Sequence, residues 1–383
     1  MVKLPPLQNI FPANNSKAIL WFWTAYWFWF FIYLPVICVR QLFIILRQTF
    51  FTLLTWNQHL SFLDGKLKLF YLNSWKTLLP SCLFGERFFM IQYEDLLIDP
   101  GPACVEQRVL SVLSQNYISA IICTHLHEEH IGNAATVAAK LKIPIYASNQ
   151  TLQEILHPSQ LSYSRAWFIG QAPSPSSPIE LKVSPPTLST TKVNLTAIES
   201  PGHCMGHFSF YDERQQILFA GDSFMHEVFT SPNGDVDSYR WRETIETYFK
   251  LKIRILLDGH GNLYTQSPQI PKTRGVVIRR DPNTMMRDKM AFTQWALAVV
   301  KEGEKRGLPY GVIEACLFPW NSRWAWQNWF TDESIRLFSC GEFSRTHFIR
   351  SLSQTPEKVP ARFKHVAIFL QWLGRVLKWN SPN

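Results

Sequence analysis

The sequence predicts a layered α/β fold, and three observations carry that expectation. Between residues 88 and 260 short apolar runs alternate with helix-forming ones, giving the order strand, helix, strand, helix, strand that layered α/β domains show. Histidine and aspartate recur where the apolar runs stop, so potential ligands stand repeatedly at strand ends. At 383 residues, with 46% hydrophobic and 14% aromatic side chains, the chain can bury one large core and carry smaller additions.

The amino terminus stands apart from this pattern. Residues 18–39 form an uncharged run of Trp, Phe, Tyr, Ile and Leu, long enough to cross a bilayer as a helix. Its aromatic stretch at 21–30, followed by Pro35, equally suits the membrane interface. The run is too long for a cleavable signal peptide and lacks a small-residue cleavage site. Beyond it Arg40 and Gln41 recur as Arg47 and Gln48, so a helix there carries a narrow polar stripe on an apolar surface. Residues 1–60 are therefore expected to associate with a membrane through 18–56. The alternative is a hydrophobic helical extension buried at a domain or dimer interface. Lys3 and Lys17 precede the span and Arg40 and Arg47 follow it, so charge assigns no orientation.

Apolar runs at 88–93 and 96–98 read as strands around Glu94-Asp95, closing in the sharp turn Asp99-Pro100-Gly101-Pro102. Residues 106–115 read as a helix, 117–123 as a buried strand, 134–141 as a helix and 143–147 as a strand. The proline-rich stretch 171–191 reads as exposed loop, with an edge strand at 179–183. A strand at 193–198, a hairpin of 208–211 with 217–220, a helix at 237–249 capped by Asp237 or Ser238, and a strand at 253–257 follow. A long amphipathic helix is expected at 283–306, closed by Gly307 and Pro309. Trp320, Trp324, Trp326 and Trp329 suggest a helical cap or interface. A last helix at 361–378 would set Lys364, Gln371, Arg375 and Lys378 on one face and Val366, Leu370, Leu373 and Leu377 on another. The chain thus divides into 1–60, a central domain at 75–270 and a helical region at 280–383.

A formal charge of +9 favours anionic surroundings, but no long Lys/Arg run selects nucleic acid among them. The seven cysteines (Cys38, Cys82, Cys104, Cys123, Cys204, Cys316, Cys340) are odd in number and scattered, with no CxxC pair. That argues against a disulfide framework and for a reducing compartment.

Chemistry concentrates in Thr124-His125-Leu126-His127-Glu128-Glu129-His130. The buried strand delivers His125 and His127 from its end, and the turn into the next helix supplies Glu129 and His130. Neutral imidazole and carboxylate are the ligands that a borderline divalent ion takes. A lone histidine at a strand end is usually a satisfied polar group; four potential ligands at this spacing are much harder to obtain by chance. Three further signals share the placement: Pro201-Gly202-His203, with His207 behind it, then Gly221-Asp222, then Asp258-Gly259-His260.

In this order the four motifs resemble those of the metallo-β-lactamase superfamily over roughly residues 80–265, with the HxHxDH signature carrying Glu129 in place of its aspartate. The resemblance implies an αββα sandwich, two sheets face to face with helices outside, here extended by the N-terminal hydrophobic segment and the C-terminal helical region. It implies that His125, His127 and His203 bind one divalent ion, that Glu129, His130 and His260 bind a second, and that Asp222 bridges them. Zn2+ is the expected ion, with iron or manganese as alternatives. Glutamate is one methylene longer than aspartate, so the second position is expected to be shifted, weakened or tuned. Asp99 either braces the ligand loop or caps its turn.

The implied chemistry is hydrolysis of an ester, thioester, lactone or phosphodiester by a metal-activated water. Paired cations lower the pKa of water from roughly 15.7 to about 7 and offset the charge of the attacked centre. Asp222 and Glu129 would orient the hydroxide and accept its proton, and His207 or His226 would donate to the leaving group; the resemblance equally allows His207 a place behind the ligands, supporting them, or on the substrate side. Two other classes stay open: an iron-dependent enzyme acting on sulfur compounds or oxygen, and a non-enzymatic membrane protein stabilised by metal. The expected partners are a small-molecule or lipid-like substrate and a membrane, with the catalytic domain on the cytoplasmic side. Lack of a basic, Gly-rich arm argues against nucleic acid, and lack of an export signal against β-lactams.

Overall fold

Side chains of successive strand residues point to opposite faces, and in this chain both faces are apolar. The computed structural model describes residues 4–359 apart from 8–9, 57, 85, 226–231, 274–275, 319–331, 334, 338 and 340. Helices α1 (Ser16–Leu54) and α2 (Trp75–Phe84) flank the first two strands, β1 (His59–Phe62) and β2 (Leu67–Tyr71). The first sheet continues with β3 (Phe89–Tyr93), β4 (Leu96–Ile98), β5 (Ala120–Ile122), β6 (Ile145–Ala147) and β7 (Leu181–Val183), in sequence order across the sheet. Pairing is antiparallel from β1 to β4 and parallel from β4 to β7. Parallel neighbours need crossovers, supplied by α3 (Glu106–Leu113), α4 (Glu128–Ile131) with α5 (Ala134–Leu141), and α6 (Asn149–Leu156) with α7 (Tyr163–Ile169).

The second sheet runs β8 (Thr187–Ser189), β9 (Asn194–Glu199), β10 (Phe208–Asp212), β11 (Ile217–Gly221), β12 (Ile255–Asp258), β13 (Leu263–Thr265) and β14 (Val277–Ile278), again in order. Its β11–β12 pair is parallel and is joined through α8 (Ser238–Tyr248), whose N-cap Asp237 accepts from the amides of Tyr239 and Arg240. Strands thus extend from His59 to Ile278, beyond residues 75–270, within the same two layers.

Leu96, Ile98 and Ile122 of the first sheet meet Ile217, Phe219, Ile255 and Leu257 of the second in one core between the layers. The alternate residues Leu97 and Ile121 face outward onto Val109, Val137 and Leu152 of α3, α5 and α6. On the other side Leu218, Ala220 and Leu256 meet Trp241 and Ile245 of α8 and Met285 and Met286 of α9 (Pro282–Lys305). The architecture is the αββα sandwich. The tie between its sheets is polar as well: the Tyr93 hydroxyl donates to Asp212 Oδ2 at 2.7 Å, both residues buried.

The parallel registers position the site. Ile98 lies beside Ile122, and Gly221 beside Asp258, so the residues that follow these strands leave both sheets at one rim. The elements α9, α10 (Tyr310–Leu317) and the helix Arg345–Leu352 pack through Phe292, Val299, Ile313 and Phe348, and the start of α1 joins them through Ile19, Phe22 and Trp23. At its other end α1 reaches the inter-sheet core through Phe51, and Thr49 Oγ1 donates to Cys82 Sγ on α2 at 3.0 Å. The tryptophans at 320–329 and the expected helix at 361–378 lie outside the described residues. Among the described residues six cysteines are all free thiols.

Replacing Tyr93 by Phe leaves the buried Asp212 carboxylate one donor short and is expected to lower stability by about 1–3 kcal/mol. Urea unfolding reads this as a lower midpoint at unchanged slope; an unmoved midpoint would deny the tie any weight.

Candidate metal centre

Four segments meet at the rim. The chain leaving β5 turns out at Thr124 and enters α4, carrying His125, His127 and His130. His203 comes from the β9–β10 loop, Asp222 from the end of β11 and His260 from the end of β12. Two glycines allow the approach. Gly221 has φ 51°, and a Cβ there would meet His207 Nε2 and Thr124 at 2.8 Å. A Cβ on Gly259 would collide with the Asp222 carboxylate and the His130 ring.

The side chains, all buried except the half-buried His260, fall into two groups, each with its ligand atoms within 4.8 Å of one another: His125, His127, His203 and Asp222, then His130, His260 and Asp222. In the first, His125 Nε2 and His203 Nε2 each lie 3.0 Å from His127 Nδ1. In the second, Asp222 Oδ2 lies 3.5 Å from His130 Nε2 and 3.2 Å from His260 Nε2. Asp222 therefore belongs to both.

Hydrogen bonds on the far side of the His125, His127, His130 and His260 rings decide which nitrogen faces the centre, whereas His203 Nδ1 is buried without a hydrogen-bond partner among the described residues. Asp99 Oδ1 accepts from the Thr124 amide at 2.8 Å and Oδ2 from the Thr124 hydroxyl at 2.7 Å. That hydroxyl oxygen is left to accept from His125 Nδ1 at 2.9 Å, so Nε2 is bare. His130 Nδ1 donates to Asp99 Oδ2 at 3.1 Å, and His260 Nδ1 to the Arg87 carbonyl at 3.1 Å and Glu86 Oε1 at 2.8 Å. The Asn233 amide faces His127 Nε2 at 2.8 Å. With its carbonyl oxygen turned to that nitrogen, which leaves no buried oxygen orphaned, Nε2 carries the proton and Nδ1 the lone pair. His130 Nε2 and Asp222 Oδ1 are buried without a hydrogen-bond partner among the described residues. Lone pairs converging at such distances repel one another unless a cation lies among them, and outward donors on ligating imidazoles are the usual companions of a metal site. The donor set fits a divalent ion.

Burial holds His127 and His203 neutral, down to about 3 and about 4, and pushes His125 well below its usual range. Burial opposes charge on His130 as well, yet Asp222 and Asp99 raise it to about 10. Asp222 itself is held well below the usual carboxylate range: burial resists its ionisation, but His260 and His130 outweigh that. The centre is an ionised carboxylate in a buried ring of imidazoles.

Residues 94–260 match the profile of the metallo-beta-lactamase superfamily. This central segment is a metallo-β-lactamase superfamily domain. Its relatives are distant. A hydroxyacylglutathione hydrolase of Nitrosomonas eutropha is 29% identical over 152 residues, 38% of this chain and 49% of that protein. Thioesterase pkgB of Emericella nidulans is 25% identical over 190 residues, 50% of this chain and 46% of that protein. The chain thus spans about half the length of these curated relatives. Among solved structures, a metallo-beta-lactamase from Pontibacter korlensis aligns over 62% of this chain and 99% of its own at 13% identity and TM-score 0.40.

The superfamily binds divalent metals, and this domain brings together all the residues expected to do so except one. Glu129 lies in neither group; its carboxylate instead meets Arg165 Nη2 at 3.3 Å. Burial works against its charge, yet Arg165, His127 and His130 hold it down at about 2. The donor role expected of His207 also fails on geometry. His207 Nε2 accepts from the Asp222 amide at 3.1 Å and Nδ1 faces Ser200 Oγ at 2.8 Å, so neither nitrogen is left to protonate a leaving group. The ring stacks beneath His125 at 4.9 Å and supports it. His226 lies outside the described residues. Sequence reasoning passed over Thr124, Asn233, Glu86, Arg87 and Arg165; only Thr124, next to a ligand, carried a signal.

Asp99 has φ 49°, a left-handed conformation that asparagine shares, so Asp99→Asn keeps the turn and removes the charge. Zinc affinity, measured by chelator competition, should fall by roughly 10–100-fold. Unchanged affinity would reduce Asp99 to a turn cap.

Proposed function

We propose that this chain is a metal-dependent hydrolase that cleaves an acyl ester, with a thioester as the leading substrate class. The observation that carries the reading is the convergence of inward-facing imidazole nitrogens on the ionised Asp222 at the rim. The hydroxyacylglutathione and thioesterase names of its relatives support the thioester. A divalent cation held there supplies hydroxide near neutral pH and draws electrons from the acyl oxygen. His125, His127 and His203 would hold one ion, and His130 and His260 the other, with Asp222 available to both. Asp222 Oδ1, which has no hydrogen-bond partner among the described residues, would be the acceptor for the proton of the attacking water. Neutral His127 and His203 keep their lone pairs for the ion across the physiological range.

The full chain, loaded with Zn2+, should hydrolyse members of an S-acylglutathione and acyl-coenzyme A panel. His125→Ala should lower kcat/KM on the order of 1,000-fold, the equivalent of about 4 kcal/mol. Activity surviving that change would sink the assignment. So would a loaded protein that turns over nothing in the panel while chelation only lowers its melting temperature.

The same reading includes a membrane. The 39-residue α1 is long and apolar enough to cross one, at ~58 Å against a hydrocarbon core of about 30 Å. Two features favour a helix lying along the surface. Both of its ends pack on the folded body. Phe28, Ile32, Val36, Val39, Phe43, Leu46 and Phe50, at helical spacing, form one exposed apolar stripe. Phe28→Lys with Val39→Lys and Phe43→Lys should abolish co-sedimentation with anionic phospholipid vesicles while leaving hydrolysis of soluble substrates intact. Resistance of the native chain to alkaline carbonate extraction would favour a spanning helix instead.

A further inference from the structure

We infer that Arg165 withholds Glu129 from the second ligand group, so that the two metal positions are of unequal strength. The inference rests on the metal-dependent reading above and goes beyond it. The first group offers four donors, His125 Nε2, His127 Nδ1, His203 Nε2 and a carboxylate oxygen of Asp222; the second offers His130, His260 and the shared Asp222. Glu129 stands one residue before His130, in the position where the superfamily has its aspartate, and would complete the second group. Its carboxylate is turned away to α7.

Arg165 is wedged in place by more than Glu129. Its Nε pairs with Glu128, its guanidinium lies 5.1 Å from the Phe343 ring, and Glu342 Oε2 is 3.9 Å from Nε. Three carboxylates therefore share one guanidinium whose side chain is only 18% exposed. The planar fork suits such sharing in a way an ammonium does not. Release of Glu129 would leave Arg165 with Glu128 and Glu342 as partners, so the arginine is not stranded if Glu129 moves. Glu342 and Phe343 lie outside the superfamily segment 94–260, which makes the clamp a property of this chain's C-terminal region.

A bound cation gains both charge and a donor when a carboxylate joins its ligands. Freed Glu129 should therefore strengthen the second position and leave the first alone. Titration of the full chain with Zn2+ against a chromophoric chelator, and with Co2+ followed by its visible absorption, tests this without recourse to activity. In the native chain the second equivalent should bind at least about tenfold more weakly than the first, and Glu129→Gln should change neither affinity nor the Co2+ spectrum. Arg165→Met should tighten the second equivalent about tenfold, and adding Glu129→Gln should erase that gain. Loss of second-site affinity in Glu129→Gln alone would show that the carboxylate already ligates and would overturn the inference. So would a folded Arg165→Met protein with unchanged second-site affinity. If Arg165→Met does not fold, the Glu129→Gln result decides alone. Failure to bind the first equivalent in any form would refute the metal-dependent reading itself, a distinct outcome.

Discussion

The centre depends on where protons sit on four imidazoles. His125, His127, His130 and His260 each spend their far nitrogen on an outward partner, respectively the Thr124 hydroxyl, the Asn233 amide, Asp99, and the Arg87 carbonyl with Glu86. That single choice commits four nitrogens to the centre, bare on His125 and His127 and, on His130 and His260, holding a proton against Asp222 that a bound cation would displace. Asp99 acts at the origin of two of these chains, once directly on His130 and once through Thr124. A buried carboxylate with four hydrogen-bonding sites can orient two rings at once, whereas a neutral side chain could not accept from all three donors.

The sandwich provides the rigid frame for this arrangement. The parallel pairs β4–β5 and β11–β12 finish in register, and each releases its ligand-bearing loop over the seam between the sheets. The core below is apolar on both sheets, so the polar rim is the one place where imidazoles and carboxylates can cluster without being forced into the hydrocarbon interior. Glycine at 221 and 259 lets the two loops touch. Around this frame, parts of the chain outside 94–260 lean on the site: Glu86 and Arg87 orient His260, and Glu342 and Phe343 steady Arg165. These contributions come from segments outside the matched stretch 94–260, and differences in behaviour among members of one fold arise from such additions.

The helix α1 obeys a different logic. It packs at its two ends and exposes an apolar stripe between them, with Val39 71% and Phe43 66% accessible. Exposed apolar surfaces of that length mark sites of interaction.

Much of this was legible before any coordinates. Short, nearly continuous apolar runs such as 96–98, 217–220 and 253–257 marked strands buried on both faces, because such a run is read from a few neighbouring residues. Pro-Gly-His, Gly-Asp and Asp-Gly-His at strand ends marked the ligands, because each is a turn chemistry that reads in two or three residues. Strands β1 and β2 were passed over, although Leu67–Tyr71 after the Asp64-Gly65 turn carried the same signal. What only the tertiary structure decided were pairings that no local pattern encodes. Glu129 found Arg165 36 residues away, and His127 found Asn233 106 residues away. His207, which reads as chemical in the sequence, was assigned to support because the Asp222 amide and Ser200 reached it first. By itself the sequence determined which side chains arrive at the rim; packing determined which way each of them faces, since orientation depends on neighbours brought together only by folding.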